Sequence, residues 1–496
     1  MSEQLQVAST DSTPTQDVQA FNLLDSIIDQ GRLARDPEGK ARARDLIGEL
    51  VAQVLEGSMV VQKDIETTIN ARIAQIDKLI SDQLNEVMHA PEFQRLEASW
   101  RGFHHLVHQT ETSTTLKIRV MNASKKDLLK DLQRAAEFDQ SILFKKIYEA
   151  EYGMFGGEPF GILVGDYQFD HSPQDVELLE KISNVAGAAH APFISSASPE
   201  MLNMDSFANL DAPRDLAKLF TGVDYIPWNA FRESEDSRYV ALVAPHYLCR
   251  LPYGRRTVPV DQFDFEEDVD GRDHSRYLWG NAAYLYATRV TDAFARYGWC
   301  TAIRGVEGGG LVENLPAHTF QTDDGELAVK CPTEVAITER REKELSDLGF
   351  ISLVHCKGTN YAAFFGAQTS NRPKKYVEDA ATANAELSAR LPYLMATSRI
   401  AHYLKAIVRD KVGGFATKDT IQRYLERWIA QYILLDDSAT PAQKAKKPLR
   451  EAKILVEEVP GQPGVYRAVA HLRPHFQLEA MAISLRLVAT LPPSAK

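Results

Sequence analysis

Between about Thr115 and Gln368 the chain repeats one pattern, a short run rich in Val, Ile and aromatic residues followed by a longer stretch with apolar residues at helical spacing. The runs are TLKIRVMN, GILVGDYQF, HAPFISSA, YVALVAP, WCTAIRG and FISLVHC. The helical stretches between them include SPQDVELLEKISNVAGAAH and RYLWGNAAYLYATRVTDAFARYG. Strands alternating with helices bury their apolar faces by layering the helices on a sheet, so the pattern predicts an α/β or mixed α+β body. At 496 residues the chain is long enough for two or three units.

Ahead of this body the pattern is helical throughout. After a polar, Ser/Thr-rich start, Thr13, Pro14 and Gln16 read as a helix opening, and Val18, Phe21, Leu24 and Ile28 follow at helical spacing. RLARDPEGK reads as a linker behind it. Further helices are expected over Ala41 to Glu56, over Lys63 to Met88, and from Pro91. Behind the body come helices in ARLPYLMATSRIAHYLKAIVRDKVGGF and KDTIQRYLERWIAQYILL, then three strand-like runs, EAKILVEEV, VYRAVAHL and FQLEAMAISLRLVATL. PGQPG between the first two is turn chemistry. The expected division is therefore 1–61, 62–369 and 370–496.

Candidate chemistry is sparse. In FQRLEASWRGFHHLVHQTE, Leu96, Trp100, Phe103 and Val107 form an apolar stripe, while His104 and His108, one turn apart, share an edge with Glu97 and Glu111. A metal-dependent hydrolase using His104 and His108 is the alternative reading, but His105 stands where H-E-x-x-H needs its glutamate. EEDVDGRDHSRY places Glu266, Asp268, Asp270 and Gly271 as a calcium loop would, yet has Tyr277 where a bidentate glutamate belongs. RGVEGGGLVE matches no phosphate-binding motif, so Gly308, Gly309 and Gly310 are expected to serve positive φ or close backbone approach. Cys249, Cys300, Cys331 and Cys356 form no C-x-x-C pair and read as buried free thiols. Arg399, Lys405, Arg409 and Lys411 concentrate positive charge on one helix.

That concentration stands out because 56 basic residues face 68 acidic ones, a formal net charge of −12 that argues against a general nucleic-acid binder. The N-terminus carries no secretory signal pattern and no apolar run is long enough to span a bilayer, so a cytoplasmic protein is expected.

LEASWRGFHHLV, GEPFGILVGDYQF, DSRYVALVAPHYLCRLPYG, YLWGNAAYLYATR, WCTAIRGVEGGGLVENLP, PTEVAITERREKELSDLGF, LPYLMATSRIAHYLK and LRPHFQLEA occur in the order seen in one family. Over about Gln62 to Leu491 the chain resembles the large sheath subunits of type VI secretion systems, the TssC/VipB family. The resemblance implies a fold related to phage-tail sheath proteins and a mechanical, non-enzymatic role without cofactor or metal. It implies an obligate small sheath subunit, TssB or VipA, a helical polymer around an Hcp inner tube, baseplate contacts, contraction, and recycling by the AAA+ unfoldase ClpV. With it come three expectations about residues. Val18, Phe21, Leu24 and Ile28 would form the unfoldase-docking helix. Ile454, Val456, Ile483, Leu485 and Leu487 would lie on strands that pair between subunits. Arg399, Lys405, Arg409 and Lys411 would face the inner tube.

Overall fold

The computed structural model describes residues 36–55, 65–212, 215–322, 324–411, 417–458, 466–475 and 477. The expected helix from Thr13 to Gln30, with Val18, Phe21, Leu24 and Ile28, and the run holding Ile483, Leu485 and Leu487 lie outside the described residues. Internal contacts divide the chain into two units, Met1–Glu86 with Tyr253–Glu267, and Val87–Pro252 with Asp268–Lys496.

In the first unit, helix α1 covers Pro37–Leu55 and helix α2 covers Ile65–Met88, its residues up to Glu86 belonging here. DPEG is a helix start and not a linker: the Asp36 carboxylate accepts from the Gly39 N–H at 3.2 Å, and Pro37 takes the first helical position, where a missing N–H costs nothing. The Tyr253–Glu267 excursion is held by its own carboxylates. Glu267 accepts from the Tyr253 N–H at 2.8 Å, Glu266 from the Arg255 N–H at 3.1 Å, and the Asn85 amide of α2 donates to the Glu266 carbonyl at 3.2 Å.

The second unit is built on a sheet. Its main elements in chain order are α3 (Pro91–His108), α4 (Lys125–Arg134), β1 (Leu163–Phe169), α5 (Pro173–Ala189), β2 (Phe193–Ala197), α6 (Ile226–Glu233), β3 (Val240–Ala244), α7 (Ala283–Tyr297), β4 (Leu311–Val312), α8 (Glu339–Asp347), β5 (Phe350–His355), β6 (Ala362–Phe364), α9 (Leu391–Lys411), α10 (Lys418–Ala430), β7 (Leu449–Glu458) and β8 (Tyr466–Pro474). The sheet runs β1-β2-β3-β5-β6-β4. Its first four strands are parallel, and β6 and β4 close it antiparallel. This is the mixed sheet that the alternating runs predict. Every residue of β2 and β3 is buried, as parallel strands covered on both faces require. Fully buried Trp228 of α6 stacks on Phe350 of β5, with centroids 5.9 Å apart.

Two expected strands do not form. TLKIRVMN is extended without a ladder partner among the described residues; Lys117 pairs with Glu158, Arg119 with Glu151 and Glu158, and Val120 and Met121 are exposed. WCTAIRG buries Ile303 beside the sheet but is not a strand, because Gly305 turns the chain at φ 72° into the tight glycine turn. In that turn a Cβ on Gly309 would lie 2.2 Å from the Ala302 carbonyl oxygen, and Gly309 itself has φ 90°. Close approach and positive φ both exclude a side chain there.

A buried polar cluster joins segments far apart in sequence. Glu334 accepts from the Ser206 hydroxyl at 2.6 Å and the Phe207 N–H at 3.1 Å, and its other oxygen pairs with His246 Nδ1 at 2.6 Å. Burial raises the Glu334 pKa, but the bonds from His246, Ser206 and Phe207 outweigh it and leave the carboxyl below its ordinary value.

The C-terminal strands β7 and β8 pair antiparallel, from Glu458↔Tyr466 to Leu449↔Pro474. Ile454 and Val456 are buried with Leu449 against Leu425 and Ile429 of α10, Ile400 of α9 and Trp299. They are core side chains of this chain, so strand addition at β7 would run through its main chain and not through Ile454 and Val456.

Candidate subunit interface

Helix α3 has two faces of different size. Ala98, Gly102 and Leu106 are buried, and Leu106 clusters with Tyr284 and Ala287 of α7. A Cβ on Gly102 would fall 2.3 Å from the Tyr284 ring, so the two helices approach as closely as they do only because position 102 has no side chain. At 100° per residue the stripe Leu96, Trp100, Phe103 and Val107 lies about 130° around the helix from this seat. Three of its members are exposed, Leu96 by 57%, Trp100 by 66% and Val107 by 38%. Phe103 packs partly against the cluster at Leu106, its ring edge-on to Trp100 at 6.3 Å. The stripe is therefore not the core face that apolar periodicity suggests. An apolar helix face left in water marks a contact surface.

A second such face lies in the first unit. On α2, Ile69, Ile73, Ile76 and Ile80 are each between 42% and 50% exposed, and Leu79 is 57% exposed. The 4-3-4 spacing of the isoleucines is that of a coiled-coil seam, which is stable when a facing helix fills it.

His104 and His108 lie on each other with ring centroids 3.9 Å apart. Glu97 is clamped by Arg101 Nε at 2.7 Å and Arg250 Nε at 2.8 Å. Burial raises its pKa, but the two arginines outweigh that and hold it below its ordinary value. Burial first, then Arg289 and His104, pushes His105 down to about 4. Among the described residues no group of three or more His, Cys, Asp or Glu is placed to hold a metal ion. In the acidic loop, Asp270 accepts from the backbone of Arg272 and Asp273, and Asp268 pairs with Arg276.

The four cations of α9 have partners within the chain. Arg399 donates to the Pro159 carbonyl and lies over Tyr403, Lys405 sits 3.6 Å from the Tyr152 ring centroid, Arg409 donates to the Met154 carbonyl at 2.6 Å, and Lys411 lies over Tyr424. Three of them thus grip the 145–160 segment, whose Lys145–Tyr152 turn is a π-helix. Between them His402 donates Nε2–H to the Ala189 carbonyl at 2.8 Å. Burial first, then Arg399, His190 and Lys405, lowers it to about 4, against the hydrogen bond to Ala189.

Because His402 binds its proton less tightly folded than unfolded, its contribution to stability is complete above about pH 6.5 and is lost as pH falls toward 4. The expected loss is roughly 3 kcal/mol, at about 1.4 kcal/mol per tenfold change in proton affinity. Urea melts from pH 7 to pH 4 should show this slope, and His402→Asn should flatten it.

No helix among the described residues is long and apolar enough to cross a membrane. The family model for the EvpB/VipB tail sheath N-terminal domain matches residues 70–371, and the model for the tail sheath gpW/gp25-like domain matches residues 380–491. The type VI secretion system sheath protein TssC1 of Pseudomonas aeruginosa is 53% identical over 450 residues, covering 90% of each chain. Among solved structures, the anti-feeding prophage baseplate aligns at TM-score 0.34 and 11% identity over 64% of this chain and 66% of that one. The contracted helical sheath of the same particle aligns at 0.31 and 12%, over 62% and 66%.

Proposed function

From the premise that the chain belongs to the VipB family of tail sheath proteins, we propose that it is the large subunit of a type VI secretion sheath, working as an obligate pair with a small sheath subunit. The observation that carries the pairing is the exposed apolar stripe of α3, Leu96, Trp100 and Val107, together with the isoleucine seam of α2. Helical partners with matching apolar faces fit both. Paired subunits then stack by heterologous contacts that repeat without closing, which generates a tube. Strand addition at the outer edge of β7 is a suitable contact, since the β7 and β8 sheet has only two strands among the described residues. Co-expression with a small sheath subunit should yield a co-purifying pair and tubes by negative stain. A chain that purifies alone as a stable monomer in that experiment overturns the reading.

In this reading an Hcp tube fills the lumen and contraction drives it outward, with the energy held in a packing arrangement that has two states. Contact with the inner tube through Arg399, Lys405, Arg409 and Lys411 is long-range, since those side chains already hold carbonyls and rings. A ClpV unfoldase takes the contracted sheath apart by docking the stripe Val18, Phe21, Leu24 and Ile28. Replacing Phe21, Leu24 and Ile28 with aspartate should give sheaths that assemble and contract once but persist contracted under time-lapse fluorescence. Failure to assemble retires the handle.

A further inference from the structure

The strands Thr319–Gln321 and Leu327–Val329 form a hairpin whose register sets Thr319 against Val329 and Gln321 against Leu327. Successive side chains of a strand point to opposite faces, and in this hairpin the larger aliphatic ones point outward. Phe320 and Ala328 are half-buried on the inner face, while Leu327 is 82% and Val329 56% exposed on the outer one. The inner face is held in place. A Cβ on Gly271 would lie 2.3 Å from the Phe320 ring, Lys330 donates to the Gly271 carbonyl at 3.0 Å, and the Tyr277 hydroxyl is 2.7 Å from His318 Nδ1. At the tip the Thr322 N–H donates to the Glu326 carbonyl at 2.9 Å. Thr319 to Val329 contains Asp323, Asp324 and Glu326 and no basic residue, and Asp324 and Glu326 are exposed. The outer face is therefore a preorganised apolar pair beside an acidic tip.

The outer face of β7 and β8 has the opposite charge. Ile454 and Val456 point into the core, so Lys453, Leu455 and Glu457 point out, where the register sets them against His471, Val469 and Arg467. Leu455 and Val469 make a half-buried apolar centre, with Lys453, His471 and Arg467 exposed around it. From Pro441 to Pro474 seven basic residues stand against three acidic ones, in a chain whose net charge is −12. An apolar centre among cations complements an apolar pair beside carboxylates. We propose that the hairpin of one copy of this chain docks on the outer face of β7 and β8 of the next copy. Leu327 and Val329 then cover Leu455 and Val469, and Asp324 and Glu326 meet Lys453, Arg467 and His471. The occupant is a second copy because one sequence carries both halves of the match. The halves are unlike, so every docked copy still offers one of each, and the contact can repeat along a tube. This docking rests on the sheath reading and supplies it with a contact between large subunits. It uses side chains on the face of β7 and leaves the main chain at its outer edge open to strand addition.

The test co-expresses the full-length chain with a small sheath subunit and counts tubes by negative stain at physiological salt. Asp324→Arg with Glu326→Arg, and separately Lys453→Glu with Arg467→Glu, should each leave the pair co-purifying. Each should also cut tube numbers at least about tenfold, because like charges then meet across the contact. All four substitutions in one chain restore opposite charges and should return tube numbers to within about twofold of wild type. A chain carrying both Glu326→Cys and Arg467→Cys should give a ladder of disulfide-linked oligomers when its tubes are oxidised, and a chain carrying either one alone should not. Wild-type tube numbers from either charge reversal, no recovery in the fourfold variant, or no ladder overturns the docking while the pair and the tubes of the sheath reading stand. A wild-type chain that gives neither pair nor tubes overturns the sheath reading, and the docking with it. If a charge reversal unfolds the chain, the cysteine ladder decides.

Discussion

Replacing Leu96 and Trp100 together with aspartate is expected to abolish pairing with the small sheath subunit and all tube formation, while the melting midpoint of the isolated chain stays within about two degrees of wild type. The reasoning starts from burial. Both side chains are more than half exposed in the chain alone, so charge there costs the fold little. In a complex the same positions would be desolvated. An aromatic anchor at the centre of such a patch contributes about 2 kcal/mol or more, a thirtyfold change in affinity, and a buried unpaired carboxylate adds its own penalty. Gly102→Leu is the control on the opposite side of the helix. It should leave the stripe intact but force α3 off the Tyr284 ring, so that the chain itself melts lower. Co-purification and thermal melts of the two variants separate surface from seat. Normal tubes from the Leu96 and Trp100 variant would mean that this face has another use.

The second large effect is on stability. Glu334→Ala should destabilise the chain by about 3–5 kcal/mol, because it leaves three buried groups without their acceptor at about 1–3 kcal/mol each before the site relaxes. His246 Nδ1, the Ser206 hydroxyl and the Phe207 N–H would all lose their acceptor in a site closed to water. Glu334→Gln keeps the shape and one acceptor, and should cost less than half as much. Acid should act like the mutation. With the Glu334 pKa below its ordinary value in the fold, the stabilisation is present above the ordinary carboxylate range and is lost as pH falls through the folded value. Urea melts at pH 7 and pH 4 check both statements, and equal midpoints for wild type and Glu334→Ala at pH 7 would remove the cluster from the account of stability.

How much of this was legible in the sequence differs from element to element. Periodicity located α2, α3, α5 and α7 and the strands β1, β2, β3 and β5, because helix and strand each impose a local repeat on the apolar residues. The runs EAKILVEEV and VYRAVAHL pair as β7 and β8, while PGQPG between them lies outside the described residues. Local pattern failed where a long-range partner decides. TLKIRVMN has strand composition, but no strand among the described residues runs beside it, and WCTAIRG is turned away by a glycine. The RIAHYLKAIVRDK helix reads as a free basic face until Pro159 and Met154, 240 and 255 residues from their arginines, supply the carbonyls. Glu334 carried no signal at all, since its partner His246 is 88 residues away.

Helix α3 shows the division most clearly. The sequence by itself determined that a helix opens at Pro91 and carries the apolar stripe Leu96, Trp100, Phe103 and Val107, and the ordered motifs along the chain determined the family. Only the tertiary structure decided which stripe lies inside. Hydrophobicity says that a face avoids water but not what covers it, and close packing against Tyr284 admits the face with the least side chain, Ala98 and Gly102. Leu96 and Trp100 are left outside by their size, which is the physical reason the most apolar face of this helix is the one available to another molecule.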